Sequence, residues 1–325
     1  MYNTLISVYV PTYNRPSYLQ FCLQNIISQA KKHKIKIFIS DNCSNDETKF
    51  IVDRFLIDYN GIIYIKQTIP ITLDENQLFF TNIVDTKFCL MLADDDALEK
   101  FALDNLIEIL QKNNDIDMIM LNAFHYTENM SKRKYLNSNI KSNIVISDPK
   151  ELLKNHFFQM HYSTLVLNME LCTNLNKANY YNTYHAYCGI AFDYLSIKFE
   201  KIGIAEILFI AEPFIMLRDG IKTYSSETLD VYFTKFPSFF TKLPSIYKKL
   251  AEAKIRSLST ANTNISFLAR LKLNQILSIH NYKNTFLYLT IFQKIKILVI
   301  CLIPIWIIKI TSKILRFLII IKNRF

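Results

Sequence analysis

Short apolar segments alternate with amphipathic segments through the first hundred residues, and this alternation limits the folds open to the chain. The apolar segments have the length and β-branched content of buried strands and cover residues 5–10, 35–40, 62–65 and 88–93. The segments between the first three strands carry apolar residues three and four positions apart, as on one face of a helix. Strands that alternate with helices form a parallel sheet, because each crossover helix returns the chain to the same end of the sheet. The sequence therefore predicts an α/β fold with a mostly parallel sheet.

Clusters of polar residues come directly after three of these predicted strands. They occupy residues 11–15, 41–46 and 94–96. In open α/β sheets, ligands bind at the carboxyl ends of the strands, where loops can vary while the strands hold them in place. We therefore expect the three clusters to lie together at one edge of the sheet and to form a single binding site.

The third cluster consists of three consecutive aspartates, Asp94, Asp95 and Asp96. Adjacent carboxylates repel one another and are costly to desolvate unless a cation lies beside them. Mg²⁺ and Mn²⁺ prefer oxygen ligands and are commonly held by one or two carboxylates together with phosphates. An isolated aspartate triplet more often caps the helix that follows it. The two other polar clusters favour a metal site here.

The glycines restrict the kind of phosphate ligand. The chain has four glycines, Gly61, Gly189, Gly203 and Gly220. Neither a G-x-G-x-x-G motif nor a G-x-x-x-x-G-K-[ST] loop can be built from them. The usual dinucleotide oxidoreductases and P-loop NTPases are thereby excluded, and any phosphate compound is expected to be held by a metal and by side chains.

The second half alternates less regularly. We predict a helix over 101–110, a polar surface loop over 127–143, and strands over 117–121, 165–167, 203–210 and 213–217. Asp193 is the single carboxylate in the mainly apolar stretch 186–195. Aspartate is rarely buried without a function, and a helix cap, a structural hydrogen bond and catalysis all remain open for it. His156 and His161 lack the spacing of a metal-ligand pair, so ordinary core or surface roles are expected.

The positive charge lies in the C-terminal part of the sequence. The net charge of the chain is +10. After Glu252 there are twelve Lys and Arg residues and no acidic residue, so this part has a charge of +12 and the residues before it have a net charge of −2. A basic segment can bind nucleic acid or an anionic membrane surface. Here the basic residues alternate with Ile, Leu, Val, Phe and Trp306. This composition favours an anionic membrane surface and argues against nucleic acid.

Two apolar segments of this tail are too short and too interrupted to span a bilayer. Segment 295–308 contains Lys296 and Pro304, and segment 314–321 contains Arg316. A spanning helix needs roughly 20 predominantly apolar residues. We predict two helices that lie in the plane of the membrane surface with Lys and Arg at the lipid headgroups. A single span over 295–321 is the less favoured alternative, because three basic side chains would lie within it.

The cysteines and the N-terminus favour a reducing compartment. The six cysteines form no C-x-x-C pair, and three lie in apolar segments, so free thiols are expected. The sequence begins with the first predicted strand, and the three parts of a secretory signal peptide, a basic segment, an apolar segment and a cleavage site, are not recognised there. Export is therefore not predicted.

Three of these motifs together resemble a known family. They are the segment S-V-Y-V-P-T-Y-N-R at 7–15, I-S-D-N-C-S-N-D-E-T at 39–48, and L-A-D-D-D at 92–96, with Asn76 in the helix before the fourth strand. In this order and spacing they resemble family 2 glycosyltransferases of the GT-A fold, close to bacterial O-antigen, capsule and lipooligosaccharide sugar transferases. The resemblance covers about the first 120 residues and is loose in the second half.

The resemblance implies roles for individual residues. The residues implied to bind the nucleotide sugar are Pro11, Thr12, Tyr13, Arg15, Asp41, Asn76, Asp94 and Asp95. Asp41 would hold the base of the nucleotide. Asp94 and Asp96 match the first and last positions of the family's D-x-D motif, with Asp96 as metal ligand and Asp94 near the ribose or a metal-bound water. The implied cofactor is Mn²⁺ or Mg²⁺.

The resemblance also implies a general base roughly a hundred residues after the D-x-D motif. Asp193 lies 97 residues after Asp96 and is the predicted base. Glu206 and Asp219 are less well placed. The family usually has a Glu-Asp pair at this point, whereas Phe192 precedes Asp193 in this chain.

The implied activity is a metal-dependent, inverting transfer of a sugar from a nucleoside-diphosphate sugar, foremost a UDP-sugar, to a polyprenyl-diphosphate-linked or surface glycan. Residues 1–120 would bind the nucleotide sugar, 121–220 would form the acceptor side, and 221–325 would form a helical membrane-association region. The expected location is the cytoplasmic face of the bacterial plasma membrane, as a peripheral protein. A nucleotidyltransferase and a catalytically inactive membrane-bound scaffold are the rival hypotheses.

Overall fold

The computed structural model describes residues 5–45, 47–172, 175–220 and 227–310. These residues form two compact units. The first comprises residues 5–220 and Pro244–Tyr247, and the second comprises 227–243 and 248–310.

A ten-stranded sheet forms the centre of the first unit. Its strands are β1 Ile6–Thr12, β2 Ile37–Asp41, β3 Ile62–Lys66, β4 Phe88–Met91, β5 Ala97–Leu98, β6 Met118–Tyr126, β7 Arg133–Leu136, β8 Ile144–Ile146, β9 Leu165–Asn168 and β10 Ile207–Arg218. The strand order is β3-β2-β1-β4-β9-β6-β10-β5, with β7 paired to β6 and β8 paired to β10.

Seven α-helices belong to the described part of this unit. They are α1 Pro16–His33, α2 Thr48–Asp58, α3 Leu73–Leu78, α4 Phe80–Ile83, α5 Ala102–Lys112, α6 Pro149–Glu151 and α7 Ala186–Ile202. Apolar side chains of α1, α2 and α5, such as Leu23, Val52 and Leu106, share one core with strand residues such as Val8 and Leu90. On the other face of β1, the buried ring of Tyr9 contacts Phe80.

The first four long strands match the sequence prediction. Strands β3, β2, β1 and β4 are adjacent in that order, and all three pairs are parallel. The carboxyl ends of β1, β2 and β4 therefore lie at one edge of the sheet. Helix α1 begins at Pro16, and proline suits a first helical position because the N–H there has no partner within the helix.

Strands β1, β2, β3, β4, β6 and β10 run in one direction, as predicted, but the sheet as a whole is mixed. Strand β9 lies between β4 and β6 and is antiparallel to both. The segment that leads from β6 to β9 contains β7, which pairs with β6, β8, which pairs with β10, and short helical turns over residues 149–159 instead of a long crossover helix. Without such a helix the chain re-enters the sheet in the opposite direction.

Two further predictions for the second half need correction. The segment 127–143, predicted as an unstructured loop, contains β7, which pairs antiparallel with β6. The two strands predicted over 203–210 and 213–217 are one strand, β10. Its register against β6 shifts on both sides of Pro213, because proline has no N–H to donate to a ladder.

The second unit is helical in its described part, as predicted for the region after residue 220. Its α-helices are α8 Thr228–Asp230, α9 Phe236–Thr241, α10 Lys248–Asn262, α11 Ile265–Leu273 and α12 Ile291–Leu302. Its core contains Phe233, Leu268, Leu271 and, from α12, Ile297 and Ile300.

Helix α12 corresponds to the first of the two predicted in-plane helices. It ends before Pro304, and residues 305–310 are helical again. Among the described residues, none of the helices has the length and apolar content required to cross a membrane. The second predicted in-plane helix, at 314–321, lies outside the described residues.

Candidate active site

The first and third polar clusters meet at the carboxyl edge of the sheet. Thr12, the last residue of β1, donates its hydroxyl to Asp94 Oδ2 over 2.7 Å. Arg15 lies immediately before α1 and donates from Nη1 to Asp94 Oδ1 at 2.7 Å and from Nη2 to Asp95 Oδ2 at 2.8 Å. The predicted convergence of these two clusters is confirmed.

The second cluster joins them through the backbone. The N–H of Asn42 donates to the carbonyl of Thr12 at 3.0 Å, and the N–H of Asn14 donates to Ser44 Oγ at 2.8 Å. Asp41 lies at the end of β2 and is fully buried. One of its carboxylate oxygens accepts from the N–H of Ser44, and the other accepts from the Tyr64 hydroxyl.

The remaining predicted nucleotide-sugar residues differ in how accessible they are. Tyr13, a member of the first cluster, is 51% exposed, and Pro11 is partly buried in β1. Asn76 is buried in α3, where its Oδ1 accepts from Ser40 Oγ at 2.7 Å. Because its side chain is engaged by Ser40, Asn76 supports the end of β2.

Asp96 is held by two residues for which the sequence predicted no role. Ser163 Oγ donates to its Oδ2 at 2.5 Å, and the backbone N–H of Arg218 donates to its Oδ1 at 2.9 Å. Arg218 Nε also donates to the carbonyl of Asp95 at 2.7 Å. Both residues lie beside strand ends, Ser163 before β9 and Arg218 at the end of β10. The rule on carboxyl ends of strands applies to Arg218 but not to Ser163, which precedes the antiparallel strand β9.

The electrostatics of the aspartates favour a cation. Asp94 and Asp96 are buried, and this burial raises the pKa of both carboxyls. The charge of Asp95 raises both pKa values further, while Arg15 opposes the effect at Asp94. Positive charge at this point would stabilise the ionised carboxylates.

The donor set fits Mg²⁺ or Mn²⁺ only if the substrate supplies further ligands. Each carboxylate oxygen of Asp94 and Asp96 accepts one hydrogen bond, which leaves a lone pair on each. In the described part of the chain, no three His, Cys, Asp or Glu residues are grouped as a metal site. One or two carboxylates, completed by phosphate oxygens and water, match the way that Mg²⁺ is commonly bound.

Asp193, the predicted base, lies within α7 and is partly buried. Its Oδ1 accepts from the hydroxyl of Tyr180 at 2.5 Å. Burial raises the pKa of this carboxyl, and the bond from Tyr180 opposes that shift. The hydrogen bonds and ion pairs found among the described residues do not link Asp193 to Asp94 or Asp96.

Solved structures of similar fold show the class of fold to which the chain belongs. TarS of S. aureus, solved with UDP-GlcNAc, superposes with a TM-score of 0.58 over 88% of this chain and 79% of that chain, at 12% identity. The mannosyltransferase PcManGT from Pyrobaculum calidifontis, solved with GDP-Man and Mn²⁺, has a TM-score of 0.50 over 92% of this chain and 87% of that chain, at 14% identity. The mixed α/β unit thus has a GT-A-like glycosyltransferase fold.

The sequence then places the chain within one family of that class. The family described as glycosyl transferase family 2 matches residues 7–174, and the chain belongs to this family. The abequosyltransferase RfbV of Salmonella typhimurium is 38% identical over 114 residues, 34% of each chain. Glycosyltransferase GlyG of Streptococcus pneumoniae is 26% identical over 124 residues, 38% of this chain and 40% of that one. The matches thus span between a third and two-fifths of these relatives.

Proposed function

We propose that the chain transfers a sugar from a nucleoside-diphosphate sugar, foremost a UDP-sugar, to a lipid-linked or surface glycan in bacterial polysaccharide synthesis. The observation that carries the proposal is that Thr12 and Arg15 bind the buried carboxylate of Asp94 at one sheet edge, two residues before the buried carboxylate of Asp96. Two structures of similar fold hold UDP-GlcNAc and GDP-Man, and the relative RfbV is an abequosyltransferase.

In this proposal the donor binds over the carboxyl ends of β1, β2 and β4. Pro11, Thr12, Tyr13 and Arg15 line the nucleotide pocket, and Asp41 lies at its base-binding end. The half-exposed ring of Tyr13 is free to pack against a nucleotide. Asn76 acts through Ser40, which it holds at the end of β2. Asp95 keeps Arg15 in place through the 2.8 Å ion pair.

Asp96 and Asp94 would hold Mn²⁺ or Mg²⁺. A bound divalent cation supplies the positive charge that neutralises a leaving diphosphate. The chain itself contributes the geometry: Ser163 and the Arg218 backbone orient Asp96, while Thr12 and Arg15 orient Asp94.

The proposed reaction needs a proton acceptor and inverts the anomeric carbon. An acceptor hydroxyl oxygen forms a bond to the anomeric carbon, the bond from that carbon to the diphosphate oxygen breaks, and the nucleoside diphosphate leaves. The hydroxyl proton passes to a carboxylate, and Asp193 is the proposed base. Burial raises the pKa of Asp193, which makes the carboxylate a stronger base than an exposed aspartate. A single attack from the face opposite the leaving group produces inversion.

We further propose that residues 1–120 bind the donor, 121–220 form the acceptor side, and 221–325 associate with the inner face of the plasma membrane. The support for membrane association is an exposed apolar stripe on α12, formed by Ile291, Phe292, Ile295, Val299 and Leu302. Large exposed apolar patches mark interaction surfaces. Such a contact would bring the enzyme to a polyprenyl-diphosphate-linked acceptor.

The testing experiment measures hydrolysis of UDP-, GDP-, dTDP- and CDP-sugars by the full chain with Mn²⁺ or with EDTA. Wild type is compared with Asp96→Ala and with Asp53→Ala, a control that removes an exposed carboxylate on α2. We expect one donor to be hydrolysed by wild type and by the control, only with metal, and not by Asp96→Ala. Pyrophosphate release from a nucleoside triphosphate and a sugar phosphate would instead indicate a nucleotidyltransferase. Binding of no nucleotide sugar by the folded protein would support the scaffold hypothesis.

A further inference from the structure

A second group of polar and aromatic side chains lies at the same sheet edge, on β6 and β7, just after β10 and shortly before β9. We call it the His125 cluster; its members are His125, Lys134, Tyr135, His161 and Asp219. His125 Nδ1 lies 2.9 Å from Asp219 Oδ1, and Lys134 Nζ lies 2.5 Å from Asp219 Oδ2. Tyr135 pairs with His125 across the two strands, and their rings stack with centroids 4.3 Å apart.

Two separate chains of contacts place this cluster next to Asp96. On one side, Arg218 donates its N–H to Asp96, and Asp219 is the next residue. On the other side, Ser163 donates to Asp96, and two residues earlier His161 places its ring edge-on to His125, with centroids 5.5 Å apart. The proposed donor site and the His125 cluster are therefore neighbours within the first unit.

The hydrogen bonding of the cluster leaves one nitrogen of His125 available. Two partners, Lys134 and His125, lower the pKa of the Asp219 carboxyl despite its partial burial, so this group is ionised at neutral pH. An ionised carboxylate only accepts, so Nδ1 of His125 is the donor in that contact. Among the described residues, Nε2 of His125 has no hydrogen-bond partner. In a neutral ring with its proton on Nδ1, Nε2 is a hydrogen-bond acceptor.

The exposure of the cluster suits a sugar ligand. The side chain of His125 is 11% exposed and that of Asp219 is 21% exposed, whereas Tyr135 is 52% exposed. A sugar has hydroxyl groups around its rim and apolar C–H groups on its faces. An aromatic ring with a polar end can pack against such a face, while imidazole and ammonium groups bond to the hydroxyls.

We propose that the His125 cluster is the subsite for the acceptor sugar, in which Tyr135 packs against the sugar ring and His125 Nε2 accepts a hydrogen bond from a hydroxyl group. The proposal rests on the proposed transferase function, because an acceptor must lie beside the donor for the two to react. It names a glycan as the molecule that this part of the chain recognises.

The test measures binding of small glycosides directly, without turnover. The probes are the methyl glycosides of glucose, galactose, mannose, rhamnose and N-acetylglucosamine. Their binding to the full chain is measured by saturation-transfer NMR in the presence of UDP and Mg²⁺. The variants are Tyr135→Ala and His125→Asn; the Asn amide can still donate to Asp219 but cannot replace Nε2. Phe50→Ala removes an exposed aromatic ring from α2 and is the matched control. Calorimetry measures UDP binding by every protein.

We expect at least one glycoside to bind to wild type and to Phe50→Ala. Its dissociation constant should rise roughly tenfold in Tyr135→Ala and in His125→Asn, while UDP binding stays unchanged. Equal glycoside affinity in all four proteins would overturn the proposal, and so would the absence of glycoside binding to a wild type that binds UDP. Failure of wild type to bind UDP would contradict the donor proposal instead, and the glycoside titrations would still report on the cluster.

Discussion

At the scale of single residues, Arg15 is the cation that permits two neighbouring carboxylates to lie close together. Its two terminal nitrogens bind Asp94 and Asp95 separately, at 2.7 and 2.8 Å. The planar guanidinium provides donors in a fixed fork, whereas a lysine ammonium is a single point charge. Arg15 therefore has a role that lysine cannot fully replace, even though the charge would be the same.

We predict that Arg15→Lys raises the donor concentration for half-maximal hydrolysis by roughly tenfold, because one charge-assisted hydrogen bond is lost. Steady-state kinetics over a range of donor concentrations measure this value. Arg54→Lys, a change of the same chemistry at an exposed position of α2, should leave it unaltered. Unchanged kinetics in Arg15→Lys would contradict the proposal that the forked guanidinium group of Arg15 is required.

Gly189 is a residue whose small size is required by packing. A Cβ at this position of α7 would lie 2.3 Å from the ring of Tyr180, a fully buried side chain whose hydroxyl donates to Asp193. The ring cannot move away without disturbing the surrounding core or its bond to Asp193. The glycine therefore permits Tyr180 to lie directly against the helix.

We predict that Gly189→Ala destabilises the protein by about 1–3 kcal/mol through overpacking. In a Tyr180→Ala background the ring is absent, and the same substitution should stabilise by about 0.5–1 kcal/mol because alanine is the better helix former. Urea unfolding of the four proteins of this double-mutant cycle measures both values. A similar destabilisation in both backgrounds would show that Tyr180 is not the cause.

The residues of the candidate site could be predicted from the sequence to different degrees. Thr12, Arg15 and Asp94 directly follow strands that are visible in the sequence, and parallel pairing brings such strand ends together. Ser163 and Arg218 contact Asp96 from β9 and β10. Their proximity depends on where these later strands enter the sheet, which local periodicity does not determine. Whether Asp193 acts as the base stays a prediction.

At the scale of elements, the first half of the sheet could be predicted from the sequence better than the second half. In the first half, the crossover helices α1 and α2 have regular apolar faces, so these helices and the strands beside them follow from spacing. Strand β7 is short and polar, with three of its four residues exposed, so it has no apolar alternation to reveal it. Its pairing with β6 depends on backbone hydrogen bonds, and these are independent of side-chain type.

Helix α12 shows a contact between elements that the sequence does not reveal. Lys272 lies in α11 and is buried, yet its Nζ donates to the carbonyls of Ile300, Cys301 and Ile303 at 2.9, 2.5 and 2.5 Å. The last carbonyls of a helix lack partners within the helix, and a cation there also interacts favourably with the helix dipole. Lys272 thus caps α12 from a neighbouring helix.

We predict that Lys272→Met destabilises α12, because methionine keeps the aliphatic stem but leaves three carbonyls without their donor. The expected loss of stability is about 2 kcal/mol or more. Hydrogen exchange of the amides in 291–302, followed by mass spectrometry, should become faster in this variant. Lys283→Met, at an exposed position, is the control and should exchange like wild type. Equal protection in both variants would contradict the capping role.

At the scale of the whole molecule, charge and apolar exposure are distributed unevenly along the chain. The part of the chain after Glu252 contains twelve basic residues and no acidic residue, and α12 carries apolar side chains on two sides. One side, with Ile297 and Ile300, belongs to the core of the second unit. A deletion from residue 295 onward would remove part of this core together with part of the exposed stripe. Single substitutions within the stripe therefore test membrane association more cleanly.

We predict that Phe292→Ser and Val299→Ser each weaken binding to vesicles that contain anionic lipid. Each removes an exposed apolar side chain from the stripe, and an apolar side chain of this size contributes about 1.5–3 kcal/mol when buried, so the partition coefficient should fall tenfold or more. Flotation with vesicles of phosphatidylglycerol and phosphatidylcholine measures this partition coefficient.

The control Ile57→Ser changes a still more exposed residue on α2, and this variant should bind to the vesicles like wild type. Because the stripe lies outside the proposed donor site, donor hydrolysis should remain unchanged in all three variants. Equal flotation of the stripe variants and wild type would argue that this surface contacts something other than lipid.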